Sequence, residues 1–388
     1  MRARDHGIVL GRLWPGPFNA ITDVPGVRVG HATLIGGEGP RVVGQGPIRT
    51  GVTVVVPHDG DPFAEPVFAG CHRLNGNGEL TGLEWIRESG FLTSPIAITN
   101  THSVGVVHDA LIAHAIRNHP AGSEFWSLPV VGETYDGVLN DMNGFHVRPE
   151  HLDAALGTAT SGPVVEGSVG GGTGMICHEF KGGIGTASRV VAESDGGWIV
   201  GSLVQANYGS RELLRVDGVP IGEAIPTSDV PSPWDAAMAL ARAAGRNGEG
   251  AAGAGSIIVI LATDAPLLPH QCARLAQRAG LGIARMGDIA STSSGEIFLA
   301  FATGNRGLPE ASPEPDARRV IEVRMVEDTR MTPLFQAAVE ATEEAILNAL
   351  LTAGTMIGAD GITAHGLEGG RVVEIMARHG RGPAARPS

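Results

Sequence analysis

Aromatic residues are scarce in this chain, since Phe, Trp and Tyr make up only 4% of its 388 residues. A core therefore has to be built mainly from Val, Ile, Leu and Ala, which dominate the hydrophobic fraction of 43%. Charged residues are also few, at 18%. This composition is typical of a well-buried globular protein and excludes a disordered chain.

Cysteine is nearly absent. The chain has only Cys71, Cys177 and Cys272, and these form no CxxC pair. An odd number of widely spaced cysteines excludes a disulfide framework and favours a reducing compartment. No segment approaches the run of about 18 apolar residues that a transmembrane helix needs. No apolar segment follows the charged N-terminus either, so no signal peptide is expected. We therefore expect a soluble, cytoplasmic protein.

Basic residues are outnumbered, with 28 Lys and Arg against 41 Asp and Glu and a net charge of -13 at pH 7. This balance argues against nucleic acid or an anionic membrane as a partner. The histidines form no HExxH motif and no close pair with carboxylate support, so we expect no metal site; those considered are His72, His102, His108 and His178.

Glycine, in contrast, is abundant, with 57 residues, which predicts many tight turns and close backbone approaches. The glycine-rich segment 168–174 resembles a phosphate-binding loop only superficially. Lys181 follows it too late for the order of a nucleotide-binding P-loop, so no nucleotide cofactor is expected.

Apolar patterning predicts a layered protein of strands and helices. The predicted strands are 51–57, 95–100, 185–191, 197–207, 256–262, 296–302 and 320–326. The predicted helices are 104–118, 149–156, 234–244, 269–279 and 333–353. Segment 70–82 contains two Asn-Gly steps and is predicted to be a loop. The order of elements after residue 256 favours an antiparallel sheet with helices on one side, and the earlier elements supply further layers.

One junction suggests chemistry: a Gly/Ala-rich segment ends at Gly255, and Ser256 opens a continuous apolar strand. The glycine permits unusual backbone angles while the strand holds the serine rigidly, which suits attack of the hydroxyl on its own preceding carbonyl. An N-to-O acyl shift and hydrolysis would then cut the Gly255–Ser256 bond. The freed α-amine, with a pKa near about 7.7–8.0, could act as the base that a serine hydroxyl needs. The alternative is an ordinary linker that leads into a core strand.

Polar residues at strand ends could converge on that serine. Asn207 ends the strand 197–207, and its carboxamide could donate to a developing oxyanion. Glu133 and Tyr135 follow a short apolar segment; the carboxylate could pair with a substrate ammonium, and the tyrosyl hydroxyl could contact the reacting centre. Each residue also has a purely structural interpretation, as a turn former, a solvated carboxylate or a half-buried tyrosine.

Ser294 and Glu296 stand two residues apart at the start of the strand 296–302. Alternation along a strand places such residues on the same side, so both could face Ser256. There they could orient its amine or relay a proton. The alternative is a pair of simple turn residues.

Several segments, in order over nearly the whole chain, carry a resemblance to a known family. They are NGNGELTG (75–82), ITNTHSVG (98–105), VVGETYDGVLND (130–141), GSVGGGTGM (167–175), QANYG (205–209), GSIIVILATDAPLLP (255–269) and STSSGEI (291–297). In this combination the chain resembles the L-aminopeptidase/D-esterase family, which includes the β-peptidyl aminopeptidases (DmpA-like enzymes).

The resemblance implies an α/β (α+β) protein with a four-layer αββα sandwich of the self-processing N-terminal-nucleophile type, shared with the ornithine acetyltransferases. It implies a single domain, 1–388, autocleaved into 1–255 and 256–388. The implied substrates are peptides, amides or esters with a free amine, and the implied assembly is a homo-oligomer, a tetramer of cleaved heterodimers. The implied roles are Ser256 as nucleophile, Asn207 as oxyanion donor, Tyr135 at the acyl centre, Glu133 as the ligand of the substrate amine, and Ser294 with Glu296 as assistants of the serine.

Two alternatives to this aminopeptidase interpretation remain. An acyltransferase of the ornithine acetyltransferase type typically begins its second chain with threonine, and Ser256 weighs against it. A non-catalytic homologue would keep the fold without cutting itself.

Overall fold

The computed structural model describes residues 1–119, 125–243, 245, 255–308 and 320–382. The strands in these ranges are β1 (Arg28–Gly36), β2 (Ile48–Val56), β3 (Val67–Gly76), β4 (Phe91–Leu92), β5 (Ile96–Asn100), β6 (Val130–Thr134), β7 (Ile176–Cys177), β8 (Phe180–Lys181), β9 (Gly183–Val190), β10 (Ile199–Asn207), β11 (Ser256–Thr263), β12 (Gly295–Ala302), β13 (Met356–Ile357) and β14 (Thr363–Ala364). The helices are α1 (Leu83–Ser89), α2 (Val104–Asn118), α3 (Pro149–Gly157), α4 (Ile221–Ala224), α5 (Pro233–Ala243), α6 (Pro269–Arg285), α7 (Thr332–Thr352) and α8 (Gly369–Arg378).

Two β-sheets form the middle layers of the molecule. One sheet has four strands in the order β1-β2-β5-β6, and the other has six in the order β4-β3-β12-β11-β10-β9. Apolar side chains from both sheets fill the space between them. Helices α2 and α3 pack on the outer face of the four-stranded sheet, and α6 and α7 pack on the outer face of the six-stranded sheet. The predicted αββα sandwich is confirmed.

Strand β11 lies in the interior of the six-stranded sheet, and all of its residues are buried. Ile257 and Val259 belong to the apolar cluster that includes α6 and α7, whereas Ile258 and Ile260 belong to the cluster between the sheets. Because both faces are covered, the sequence of β11 is continuously apolar instead of alternating. This confirms the predicted strand and places its first residue at the edge of a rigid layer.

The expected antiparallel arrangement after Ser256 is wrong for one pair of strands. Strands β11 and β12 are parallel, with Ser256 beside Gly295. Helix α6 carries the chain back across the sheet, so β12 starts at the same end as β11, which is the usual consequence of a helical crossover. Strand β10 is antiparallel to β11 and ends where β11 begins. The end of β10 and the starts of β11 and β12 therefore lie at the same edge.

Two other segments differ from the prediction. Segment 70–82 is a strand as far as Gly76, because β3 pairs with β12 along its length. Segment 320–326 is not a strand: Val320 is 81% exposed, and the chain is held instead by a pair of hydrogen bonds between Asn305 and the backbone of Arg324. Apolar composition alone therefore predicted a strand wrongly, because this segment pairs with none of the strands in the described ranges. None of the helices in the described ranges is both long and apolar enough to cross a bilayer.

Candidate active site

The ends of three strands bring distant parts of the chain together. Asn207 is the last residue of β10, Ser256 the first of β11 and Gly295 the first of β12. Asn207 lies directly opposite Ser256 in the antiparallel ladder, and Gly295 lies beside Ser256 in the parallel ladder. Ser256 is only 5% exposed, and its Oγ donates to the carbonyl of Asn77 over 3.4 Å. The predicted nucleophile is thus held at the edge of the sheet by strands on both sides.

The carbonyl group that precedes Ser256 is also held. The Gly295 amide donates to the carbonyl oxygen of Gly255 over 3.1 Å. A β-carbon at Gly255 would lie 2.1 Å from the carbonyl oxygen of Asn207, so a side chain at this position cannot fit without a shift of the backbone. A carbonyl that accepts a hydrogen bond is better able to carry the negative charge that develops when a nucleophile attacks it.

The carboxamide of Asn207 is buried, and among the described residues only one of its two polar atoms forms a hydrogen bond. Its Oδ1 accepts the amide of Ile176 over 2.8 Å, while its Nδ2 has no hydrogen-bond partner among the described residues. Leaving a buried donor unpaired costs about 1–3 kcal/mol, so such groups are rare in native proteins. A free donor opposite Ser256 is the arrangement that an oxyanion-binding group requires before a substrate arrives.

Ser294 and Glu296, which were predicted to lie on the same side of the strand, are in direct contact. The Ser294 hydroxyl donates to Oε1 of Glu296, and Oε2 of Glu296 has no partner in the part of the chain that the structure describes. Burial raises the pKa of Glu296 to about 7, and the nearby Asp288 contributes to the rise, whereas the bond from Ser294 opposes it. A carboxyl group that titrates near neutral pH can take up and return a proton during turnover.

The Asn-Gly segment at the end of β3 connects these groups. Asn75 Nδ2 donates to the carbonyl of Ser291 over 2.6 Å, and Asn77 Nδ2 donates to the carbonyl of Ser293 over 2.7 Å. The two asparagines therefore fix the segment that leads to Ser294, and the carbonyl of Asn77 also accepts the hydroxyl of Ser256. Sequence reasoning interpreted the Asn-Gly steps only as turn formers and missed this role, although the segment was among those that carried the family resemblance.

Glu133 lies at the end of β6, next to the end of the parallel strand β5. Its Oε2 accepts the hydroxyl of Thr101 over 2.5 Å, and its Oε1 accepts the amide of Glu79 over 3.0 Å. Burial raises the pKa of Glu133. A β-carbon at Gly78 would lie 3.3 Å from Oε1 of Glu133 and 3.6 Å from the Cα of Gly295. Gly78 therefore lies close both to this carboxylate and to the start of β12, beside Ser256. Thr101 was not predicted as a site residue.

Tyr135 follows β6 and is 38% exposed. Its ring packs nearly parallel to that of Trp234, with centroids 6.5 Å apart and an angle of 17° between the planes. Burial raises the pKa of its hydroxyl. The structure thus brings Ser256, Asn207, Ser294, Glu296 and Glu133 to one edge of the sandwich, while Tyr135 lies just beyond Glu133 with its ring on Trp234.

Comparison with known proteins identifies the family of this chain. The sequence profile of peptidase family S58 matches residues 19–364. The chain belongs to peptidase family S58. Among relatives within S58, the β-peptidyl aminopeptidase BapA of Sphingosinicella microcystinivorans is 48% identical over 385 residues, which cover 99% of this chain and 94% of that protein.

Solved structures agree with the S58 assignment. A β-aminopeptidase of Burkholderia sp. has a TM-score of 0.88 and 54% identity, with 100% of both chains covered. The L-aminopeptidase D-Ala-esterase/amidase of Ochrobactrum anthropi, described as a variant of the N-terminal-nucleophile hydrolase fold, has a TM-score of 0.84 and 41% identity over 98% of this chain and 99% of that one. These matches confirm the predicted family, fold and enzyme class. The S58 chain is a serine-type aminopeptidase that acts on peptide or amide substrates.

Proposed function

We propose that this aminopeptidase cuts its own Gly255–Ser256 bond and then uses Ser256 as an N-terminal nucleophile. The observation that carries this proposal is the hydrogen bond from Gly295 to the carbonyl oxygen of Gly255, directly before the buried hydroxyl. Ser256 Oγ attacks the Gly255 carbonyl carbon, the C–N bond breaks, and the acyl group moves from nitrogen to Oγ. Water then hydrolyses this ester, which leaves a carboxylate on Gly255 and a free α-amine on Ser256.

The two pieces, 1–255 and 256–388, remain a single folded domain after the cut. Strands β11 and β12 of the smaller piece lie between β10 and β3 of the larger one in the same sheet. Their ladders and the buried side chains on both faces are unaffected by breaking one peptide bond at the sheet edge. The new N-terminus therefore stays opposite Asn207.

During turnover, Ser256 Oγ attacks the first carbonyl carbon of the substrate, and the α-amine or the Ser294–Glu296 pair takes the proton. The oxyanion that forms accepts a hydrogen bond from Nδ2 of Asn207. The leaving group departs with a proton, and water hydrolyses the acyl-enzyme. Tyr135 contacts the acyl centre.

Glu133 gives the enzyme its aminopeptidase character. Its carboxylate is buried and, among the described residues, accepts hydrogen bonds only from neutral donors, a hydroxyl and an amide. The ammonium group of a substrate supplies the missing positive charge, and a blocked amine would leave the carboxylate unpaired at a cost in free energy. Substrates are therefore peptides, amides or esters with a free amino group.

We assign an N-terminal β-residue as the preferred substrate, following the two β-aminopeptidases that the chain resembles at 48% and 54% identity. The similarity to an L-aminopeptidase D-Ala-esterase/amidase at 41% identity favours α-residues as a second candidate. Hydrolysis rates for the p-nitroanilides of β-alanine, L-alanine and D-alanine distinguish the two, since only the first adds a backbone carbon between amine and carbonyl.

The assembly and location that we propose follow the sequence-based expectations: a homotetramer of cleaved heterodimers in the cytoplasm, with no nucleic acid or membrane partner. The net charge of -13 supports the lack of nucleic acid and membrane partners, and the three free cysteines support the cytoplasmic location; the tetramer rests on the family resemblance. Light scattering on the processed enzyme measures the assembly, and cell fractionation measures the location.

The deciding experiment is an intact-mass measurement on purified protein, combined with an assay of p-nitroanilide hydrolysis. Wild-type enzyme is expected as two pieces, whereas Ser256→Ala is expected as one full-length, inactive chain. Ser228→Ala, at an exposed serine away from the described site, serves as a control and should give two pieces and normal activity. Fully active wild-type protein that remains one chain would refute the proposal, and the same protein without activity would indicate the non-catalytic alternative.

A further inference from the structure

Lys181 in β8 is a fully buried lysine that the mechanism above does not use. Its Nζ donates to the carbonyls of Gly182 over 2.7 Å, Met175 over 2.9 Å and Gly172 over 3.4 Å. Three acceptors match the three N–H donors of an ammonium group. Within the described ranges it is held by these carbonyl dipoles and forms no ion pair with a carboxylate.

Burying the charged form of a lysine side chain costs free energy. Burial lowers the pKa of Lys181 to about 7, which reports the free-energy cost of holding the charge away from water. An apolar residue of the same volume would avoid that cost. A lysine retained at this buried position therefore suggests a role in function, and its hydrogen bonds indicate where that role lies.

The peptide group between Met175 and Ile176 connects Lys181 to the active site. Its carbonyl accepts Nζ of Lys181, and its N–H donates to Oδ1 of Asn207 over 2.8 Å. Nδ2 of Asn207 is left without a partner among the described residues, opposite Ser256. The donors and acceptors follow each other from the ammonium, through the peptide and the carboxamide, to the position of the oxyanion.

We propose that Lys181 is a positioning residue, which orients and polarises the carboxamide of Asn207 through the Met175–Ile176 peptide group. This inference rests on the proposed function, in which Asn207 donates to the oxyanion. Each hydrogen bond in such a chain strengthens the next, because a carbonyl that accepts from an ammonium makes its own N–H a better donor.

Orientation matters as much as polarisation. An asparagine side chain can turn its oxygen or its nitrogen toward a given point, and only the nitrogen can donate to an oxyanion. The Ile176 N–H holds the oxygen, so the nitrogen is presented on the other side. Strands β7 and β8 make this arrangement rigid, since Ile176 pairs directly with Lys181 and the Gly182 amide donates to the Met175 carbonyl over 2.9 Å.

A purely structural role for Lys181 makes a different prediction. Its bond to Gly172 also ties the glycine-rich segment to β8, and loss of that bond alone would lower stability without a selective effect on the chemical step. The two roles predict different results in two respects. A positioning role lowers kcat while KM stays nearly unchanged, and its effect on kcat is lost when Asn207 is absent.

The test is a double-mutant cycle with Lys181→Met, which removes the three donors and keeps the side-chain length. Rates are normalised to the fraction of processed chains, measured by intact mass. We expect Lys181→Met to lower kcat by at least about tenfold with KM within about twofold, and Asn207→Ala to lower kcat by about 10²–10³. In the Asn207→Ala background, Lys181→Met should lower kcat no further, because the group it acts on is absent.

Two controls make the outcome decisive. Leu111→Ala opens a cavity in the apolar cluster beneath α2, which contains none of the residues of this chain of hydrogen bonds, and should lower the melting temperature while kcat stays unchanged. If Lys181→Met does not fold, Lys181→Gln replaces it in the same cycle. A wild-type kcat in the lysine variant, or a loss that multiplies with that of Asn207→Ala, overturns the inference. A wild-type kcat in Asn207→Ala instead overturns the proposed role of Asn207 itself.

Discussion

The carbonyl oxygen of Gly255 accepts the amide of Gly295 over 3.1 Å, as the first hydrogen bond of the parallel ladder between β11 and β12. The carbonyl of the bond proposed to break is therefore positioned by the sheet itself. The same hydrogen bond orients the carbonyl beside the hydroxyl of Ser256 and stabilises negative charge on its oxygen. Self-processing would thus depend on correct formation of this ladder.

Gly255→Ala should slow self-processing by at least about tenfold, because small misplacements of reacting groups are costly. The new β-carbon would lie 2.1 Å from the carbonyl oxygen of Asn207 and 2.8 Å from the Cα of Tyr208, so the start of β11 would have to move. The time course of full-length chain on a denaturing gel measures the rate. Gly105→Ala, in α2 with open space around the new carbon, is the matched control. Wild-type processing in Gly255→Ala would contradict the geometry.

Glu133→Gln should raise KM for free-amine substrates by at least about tenfold, because it removes the charge that pairs with the ammonium and keeps the shape of the side chain. Steady-state kinetics on p-nitroanilides measure the effect. Thr101→Val removes only one hydrogen bond to the carboxylate and should change KM in the same direction but less. Equal turnover of N-acetylated and free-amine substrates by the wild-type enzyme would exclude this role of Glu133.

Local sequence patterns were sufficient to predict the position of several residues of this site. A continuous apolar segment predicted β11 and placed Ser256 at its start, because a strand covered on both faces needs no polar positions. The spacing of Ser294 and Glu296 predicted for an equally local reason that they lie on the same side of the strand. The parallel pairing of β11 with β12 was not predictable from local pattern, because it depends on where α6 returns the chain.

Residues that act through backbone groups were missed for a related reason. Asn75 and Asn77 bind carbonyls more than two hundred residues away in sequence, and neither the partner nor the distance leaves a local signal. Lys181 appeared only as a residue in the wrong place for a P-loop. Its contacts with carbonyls of the glycine-rich segment depend on the β7–β8 hairpin, which is too short to be recognised from apolar pattern.

Glu296 should make kcat depend on pH near neutrality. Burial raises its pKa to about 7, so the carboxylate that can accept a proton forms only as the pH rises through that value. We expect kcat of the wild-type enzyme to rise with a midpoint near pH 7, and Glu296→Gln to lose this step at all pH values. A pH profile of kcat from 5 to 9, at saturating substrate, measures it. An unchanged profile in Glu296→Gln would assign the titration to another group.

The raised pKa of Glu296 also makes the free energy of unfolding depend on pH. The ordinary pKa of a glutamate is 4.5, and that of native Glu296 is about 7, so the native state binds the proton more tightly than the unfolded chain. Its contribution to the free energy of unfolding is largest below pH 4.5 and falls as the pH rises to about 7. Glu296→Gln should therefore be more stable than wild type at pH 8, as measured by urea denaturation. Lower stability at that pH would contradict the assigned shift.

The cluster around Arg189 should hold the two pieces together after processing. Buried Arg189 donates to Oε2 of Glu344 over 2.6 Å, and Arg4 donates to Oε1 over 2.9 Å; both arginines belong to the larger piece and Glu344 to the smaller. Glu344→Gln would leave buried Arg189 with only the longer contact from its Nε to Oε2 of Glu340, 3.4 Å, among the carboxylates of the described residues, so the processed enzyme should lose about 3 kcal/mol of unfolding free energy. Urea denaturation monitored by size-exclusion chromatography measures this loss. The control is Asp229→Asn, at an exposed ion pair with Arg371, which should cost at most about 1 kcal/mol. Equal losses in the two variants would show that the buried cluster does not join the pieces.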